Sequence, residues 1–159
     1  MSGFFEALEA RSRAIDSLLC VGIDPRVADA VEARRVSFDL IAETAPMAAA
    51  FKANSAYFER LGPAGIEALI EVVAAVPDEI PVILDAKRGD IASSATAYAE
   101  ACFGVIGAGS VTLSPYLGRD SIDPFLAHPG RGVWVLCRTS NPSGAELQDE
   151  GLDSGDRVF

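Results

Sequence analysis

Histidine is almost absent. The single one, His128, lies in a loop-like Ala-His-Pro-Gly stretch of the 159-residue chain and reads as a surface residue. That removes histidine-based triads and any multi-histidine metal site. Cysteine is scarce too: Cys20, Cys102 and Cys137 sit in apolar contexts and form no CxxC pair. They read as small buried hydrophobes in a reducing compartment. No apolar run approaches the roughly 18 residues of a membrane span. The opening Met1-Ser-Gly-Phe-Phe-Glu6 lacks a basic segment followed by a long apolar one, so no secretory leader is expected, and the chain reads as cytoplasmic. Basic residues are outnumbered 23 to 13, a net charge of −10. That argues against nucleic acid and anionic membranes as partners, and means that an anionic substrate would need a local positive site. Gly-rich phosphate loops of the GxGxxG or GxxxxGK[ST] kind are missing, as are internal repeats and low-complexity linkers.

What is present is half hydrophobic and of average charge density, as expected of one folded domain of ordinary size. Strand-like and helix-like segments alternate. Residues 3–15 place Phe4, Leu8 and Ile15 near one helical stripe. Short apolar runs at Leu18 to Ile23, Ala49 to Asn54, Pro81 to Lys87, Ser110 to Ser114 and Gly132 to Thr139 predict five strands. Between them, Ser37 is expected to cap a helix reaching about Thr44, before Pro46. Gly62-Pro63 opens another, with Ile66, Leu69, Ile70 and Val73 at helical spacing. Ile91, Ala95, Tyr98, Ala99, Cys102 and Phe103 mark a third helical face, with Gly104 as its stop. A short helix is expected near residues 120–127. This order predicts a parallel α/β architecture.

The polar residues gather where the strands end: Asp24, Lys52 and Asn54, Asp85 and Lys87, Ser114, and Arg138 to Asn141. Parallel α/β folds hold their ligands at that end. The run Leu84-Asp85-Ala-Lys87-Arg-Gly-Asp90-Ile91 is the most informative. Alternation along a strand puts Asp85 and Lys87 on one face, and charges there are costly unless paired. Flanked by Asp85 and Asp90, Lys87 is favoured in its charged form. Three roles stay open for it: proton donor to a carbanion, electrostatic clamp, or member of a structural salt bridge. Asp90 could equally cap the following helix, Asp24-Pro25 could form a turn, Lys52 could snorkel, and Ser140-Asn141 could shape the last turn.

Five strings together resemble the orotidine 5′-phosphate decarboxylase family, in its longer bacterial branch. They are Leu19-Cys-Val-Gly-Ile-Asp24-Pro25, Phe51-Lys52-Ala-Asn54-Ser-Ala-Tyr-Phe58-Glu59, Leu84-Asp85-Ala-Lys87-Arg-Gly-Asp90-Ile91, Leu113-Ser-Pro-Tyr-Leu-Gly118 and Cys137-Arg-Thr-Ser140-Asn141-Pro-Ser-Gly144. The resemblance implies a (β/α)8 TIM barrel of the ribulose-phosphate-binding type and cofactor-free decarboxylation of orotidine 5′-phosphate to UMP, in pyrimidine biosynthesis, without metal. It further implies that Asp24 contacts the ribose, that Lys52 binds ribose within a charged network, and that Asn54 lines the same end. Asp85 would face the substrate carboxylate, Lys87 would protonate C6, and Ser140 would bond the pyrimidine edge. Asp90 and Ser94 (where threonine is usual) would serve the partner's site in a homodimer. Since a closed barrel needs eight strands and about 250 residues, residues 1–159 read as the N-terminal portion of one such domain, about five strands of it. The family's phosphate-binding residues are expected on later strands, and a truncated chain inactive on its own is one alternative reading. The alternative within the same barrel superfamily is a Mg²⁺-dependent sugar-phosphate decarboxylase or aldolase, which shares the DxKxxD strand.

Overall fold

The five apolar runs become five parallel strands in the computed structural model, which describes residues 3–159; Met1 and Ser2, the start of the segment read for a leader, lie outside it. The strands are β1 (Cys20–Ile23), β2 (Ala50–Asn54), β3 (Val82–Arg88), β4 (Ser110–Leu113) and β5 (Gly132–Val135), hydrogen-bonded in simple sequential order in one open sheet. Helices α1 (Phe4–Ile15), α2 (Ala30–Thr44), α3 (Ser55–Glu59), α4 (Pro63–Ala74), α5 (Ala92–Glu100) and α6 (Asp123–Leu126) come before and between them. Every crossover returns the chain to a parallel neighbour, so the strands all finish at the same end.

The two faces of the sheet differ. Ile23, Phe51, Ala53, Val82, Leu84, Val111 and Leu113 join α-helical side chains in the main core, where Phe51 and Phe58 are fully buried. Each such aromatic contributes about 1.5–3 kcal/mol by leaving water. The intervening residues face the other way. On that second face Ala50 and Ile83 form a smaller cluster with Phe4 and Leu8 of α1. Phe4 meets Phe5 and Trp134 edge-on at 5.3 and 6.3 Å between ring centres. The Phe4 amide donates to the Gly130 carbonyl at 2.9 Å. Gly132 is small because Phe4 is there: a Cβ would sit 2.7 Å from the Phe4 ring. Helix α1 thus closes the end of the second face where the strands begin.

Several boundaries differ from the sequence expectation. Helix α2 starts at Ala30, where the Asp29 carboxylate accepts from the Glu32 amide at 2.9 Å; Ser37 is buried in mid-helix and caps nothing. Acid at the cap and Glu at the third helical position were the signal for that start. Helix α3 was not expected at all, and Asn54 caps it by accepting from the Ala56 amide at 3.2 Å. Gly104 stops nothing, because α5 runs on into a wide π-helical turn, Ala101–Val105, and the chain bends at Gly107 instead. On α5 and the π-helical turn the inward face holds Ala95, Ala99, Cys102 and Phe103, while Tyr98 and the cap residue Ile91 are exposed. Strand β5 ends at Val135, short of Thr139. Cys20 and Cys137 are exposed, and only Cys102 is buried. Both flank the open sheet edges: Cys20 opens edge strand β1, and Cys137 follows edge strand β5.

Candidate active site

Lys52, Asp85 and Thr112 occupy the same face of three adjacent strands, beyond the Phe4 cluster and towards the strand ends. Asp85 is the hub. Its Oδ2 accepts from Lys52 Nζ at 2.9 Å, and its Oδ1 accepts from Lys87 Nζ at 2.6 Å and from Thr112 Oγ1 at 3.0 Å. The Asp85 side chain is only 12 % exposed, against 33 % for Lys52 and 51 % for Lys87. Burial pushes its carboxyl upward, but the hydrogen bonds from Lys87, Lys52 and Thr112, with the Lys52 charge, outweigh that and hold it below the ordinary carboxylate value. Two ammonium groups around one carboxylate leave net positive charge at one spot of an acidic protein.

Lys87 arrives by a route that strand alternation does not describe. Strands β3 and β4 pair regularly at Ile83↔Ser110 and Leu84↔Val111, then resume only at Arg88↔Leu113. Between them is a bulge, in which Lys87 has φ +47°, a left-handed conformation. A non-glycine residue holds such a conformation at a cost of about 1–3 kcal/mol, and such strain collects where a side chain must be aimed. The next residues are anchored. Arg88 pairs with Glu59 of α3 and lies 5.0 Å over the Tyr98 ring. Its carbonyl accepts from the Ser114 amide at 2.7 Å. Gly89 passes so close to β4 that a Cβ would sit 2.6 Å from the Ser114 carbonyl oxygen.

The other expected site residues are placed differently. Asp90 forms no hydrogen bond or ion pair with Lys87; its carboxylate accepts from the adjacent Ile91 amide at 2.7 Å, and Ile91, not Asp90, is the cap of α5. The expectation that two acids flank the Lys87 ammonium is therefore corrected to one, Asp85. Ser94 lies half-buried in α5, Asp24 is exposed just past β1, and Ser140 is exposed past β5. Asn54 faces the same way as Asp85, its partner in register, but its side-chain oxygen is spent on α3. His128 is half-buried, with its ring 5.1 Å from that of Phe103. Thr112 was missed; its signal was a polar residue two before Ser114 at the end of an apolar strand. A cavity of about 810 Å³ opens beside β4 and β5, lined by Ser114, Tyr116, Cys137 and Phe159 among others.

Chemically, this is a fixed ammonium–carboxylate–ammonium array. It can stabilise negative charge, and from Lys87 it can deliver a proton. Among known proteins, residues 17–157 match the family model described as orotidine 5′-phosphate decarboxylase / HUMPS. The orotidine 5′-phosphate decarboxylase of Herpetosiphon aurantiacus is 42 % identical over 164 residues, covering 98 % of this chain and 61 % of the relative. That of Roseiflexus castenholzii is 45 % identical, covering 98 % and 60 %. The solved structure of Leishmania donovani OMP decarboxylase superposes with a TM-score of 0.93 at 47 % identity, over 99 % of this chain and 62 % of that one. The chain thus spans about three fifths of the length of these relatives.

Proposed function

The chain belongs to the orotidine 5′-phosphate decarboxylase / HUMPS family, and on that premise we propose that it carries the reaction centre of an orotidine 5′-phosphate decarboxylase. The observation that carries the reading is Asp85 held between Lys52 and Lys87 at 2.9 and 2.6 Å. Loss of CO₂ from C6 leaves a lone pair in the plane of the pyrimidine ring, which the π system cannot delocalise. A preorganised ammonium stabilises that charge as it forms and then supplies the proton. Lys87 takes this role. Asp85 faces the departing carboxylate and keeps both ammonium groups in place, while Lys52 also binds the ribose. Asp24 and Asn54 bind at the ribose end, and Ser140 at the pyrimidine edge. Bringing two carboxylates together requires binding energy from elsewhere on the substrate. The phosphate supplies it, gripped by the part of the relatives that this chain does not span.

In this reading residues 1–159 form the first five strand-and-helix units of one barrel domain, and the remaining strands lie against β1 and β5. The assembly is a cytoplasmic homodimer of pyrimidine biosynthesis, and Asp90 and Ser94 reach the partner's site. Support for that assignment is that Asp90 stays out of the Asp85 network although it is near in sequence. No cofactor takes part. The metal-dependent sugar-phosphate alternative is not favoured, since the relatives compared above are named for orotidine 5′-phosphate, not for a sugar phosphate.

The test is decarboxylation of orotidine 5′-phosphate by the chain mixed with a polypeptide made of the part of the Roseiflexus castenholzii relative that the match leaves uncovered. We expect UMP formation that a chelator does not slow, and little turnover by the 159-residue chain alone. A mixture that assembles yet makes no UMP overturns the reading.

A further inference from the structure

We propose that Thr112 is a positioning residue, whose one hydroxyl fixes both the bulge that presents Lys87 and the direction in which Asp85 offers its carboxylate. The proposal rests on the decarboxylase reading only where it concerns turnover. Regular pairing of β3 with β4 stops after Leu84↔Val111 and resumes at Arg88↔Leu113, so that Asp85, Ala86 and Lys87 all stand opposite the single residue Thr112. A ladder cannot satisfy that arrangement, and the side chain does so in its place. Thr112 Oγ1 accepts from the Ala86 amide at 3.0 Å and from the Lys87 amide at 2.9 Å. A hydroxyl has two lone pairs and one proton. With both lone pairs occupied by amides, the proton goes to Asp85 Oδ1, 3.0 Å away. Every bonding capacity of the group is used, and each bond serves the array.

Two consequences follow. Lys87 keeps its left-handed backbone, at φ +47°, because its amide has a fixed acceptor there. Asp85 receives a donor that, unlike Lys52 and Lys87, carries no charge and is held in place by two backbone amides. When a second carboxylate approaches, the Thr112 bond favours the ionised form of Asp85 and holds its orientation. Thr112→Val keeps the shape and removes all three bonds; Thr112→Ser keeps the hydroxyl.

The experiment follows amide hydrogen exchange at Ala86 and Lys87 and the carboxyl titration of Asp85 by NMR in the 159-residue chain, together with kcat and KM in the complemented mixture. For Thr112→Val we expect exchange at both amides to quicken about tenfold or more and the Asp85 titration to move up towards the ordinary carboxylate value. We expect kcat to fall about 10- to 100-fold while KM stays within about threefold, and serine to restore all four readings. Should the valine chain not fold, Thr112→Ala takes its place in the same measurements. Wild-type exchange and Asp85 titration in the hydroxyl-free chain overturn the proposal, as does failure of serine to restore them. If the wild-type mixture makes no UMP, the decarboxylase reading fails, and exchange and titration still decide the role of Thr112.

Discussion

Where the strands begin, the second face of the sheet is sealed by Phe4 against Ala50 and Ile83, with Trp134 edge-on beside it. Where they finish, the same face carries Lys52, Asp85 and Thr112, with Lys87 folded over them. One end spends its residues on removing apolar surface from water, and the other on charges that satisfy one another. The same strands supply both, two residues apart: Ala50 then Lys52, Ile83 then Asp85, Ser110 then Thr112. A packed base supports the geometry of the charged end, where a displacement of about 1 Å can cost 100-fold in rate at a catalytic site.

If the two ends divide the work in this way, changes at one should leave the other standing. The largest effect is expected from Lys87→Ala in the complemented mixture. UMP formation should fall by about 10³-fold or more, since both proton delivery and charge stabilisation are lost. Binding of UMP should change little, and the urea midpoint of the 159-residue chain should fall only slightly, since Asp85 keeps its bonds from Lys52 and Thr112. Near-normal turnover would remove Lys87 as the proton donor. Phe4→Ala is the converse. It should cost about 3 kcal/mol of stability, read as a lower urea midpoint, because the pocket against Ala50, Ile83 and Gly132 is left empty. The carboxyl titration of Asp85 should stay where it was; movement of that titration would break the division between the ends. Gly89→Ala is expected to cost about 1–3 kcal/mol. Unlike Phe4→Ala, it should also disturb the array, because relief of the clash with the Ser114 carbonyl pushes β3 from β4 beside the bulge.

The base and the charged end were not equally legible in the sequence. The strands could be read because each is a short apolar run bounded by turn residues, and the shared strand end collected Lys52, Asp85 and Lys87 without knowledge of contacts. Helix starts were harder: Asp29 and Asn54 act as caps, but each also resembles an ordinary turn residue. The bulge could not be read, because it depends on which residue of β4 stands opposite Ala86 and Lys87. Strand alternation put Asp85 and Lys87 together, and they are together, but through a left-handed Lys87. Asp90, equally close in sequence, turns to its own helix instead. The burial of Cys102 followed from helical periodicity, whereas the exposure of Cys20 and Cys137 depends on their places beside open sheet edges, which local context does not record.

The smallest effect sharpens the comparison through pH. Asp85 is held below the ordinary carboxylate value: burial raises it, and the hydrogen bonds of Lys87, Lys52 and Thr112 more than reverse that. A carboxyl depressed in the folded state stabilises the fold at every pH above its unfolded value, about 4. That contribution is lost as pH falls from about 4 through the folded value. Stability of the 159-residue chain, followed by urea unfolding from neutral pH into acid, should therefore drop in that window. Asp85→Asn should be less stable at neutral pH, where Lys52 and Lys87 are left without their counter-charge, and should show a shallower acid loss. Phe4→Ala should lower the whole curve with little change in its acid slope, since the cluster of Phe4, Leu8, Ala50 and Ile83 holds no ionisable side chain. Equal acid slopes in the wild type and Asp85→Asn would mean that the network does not couple to folding, and that the charged end is held entirely by the strands beneath it.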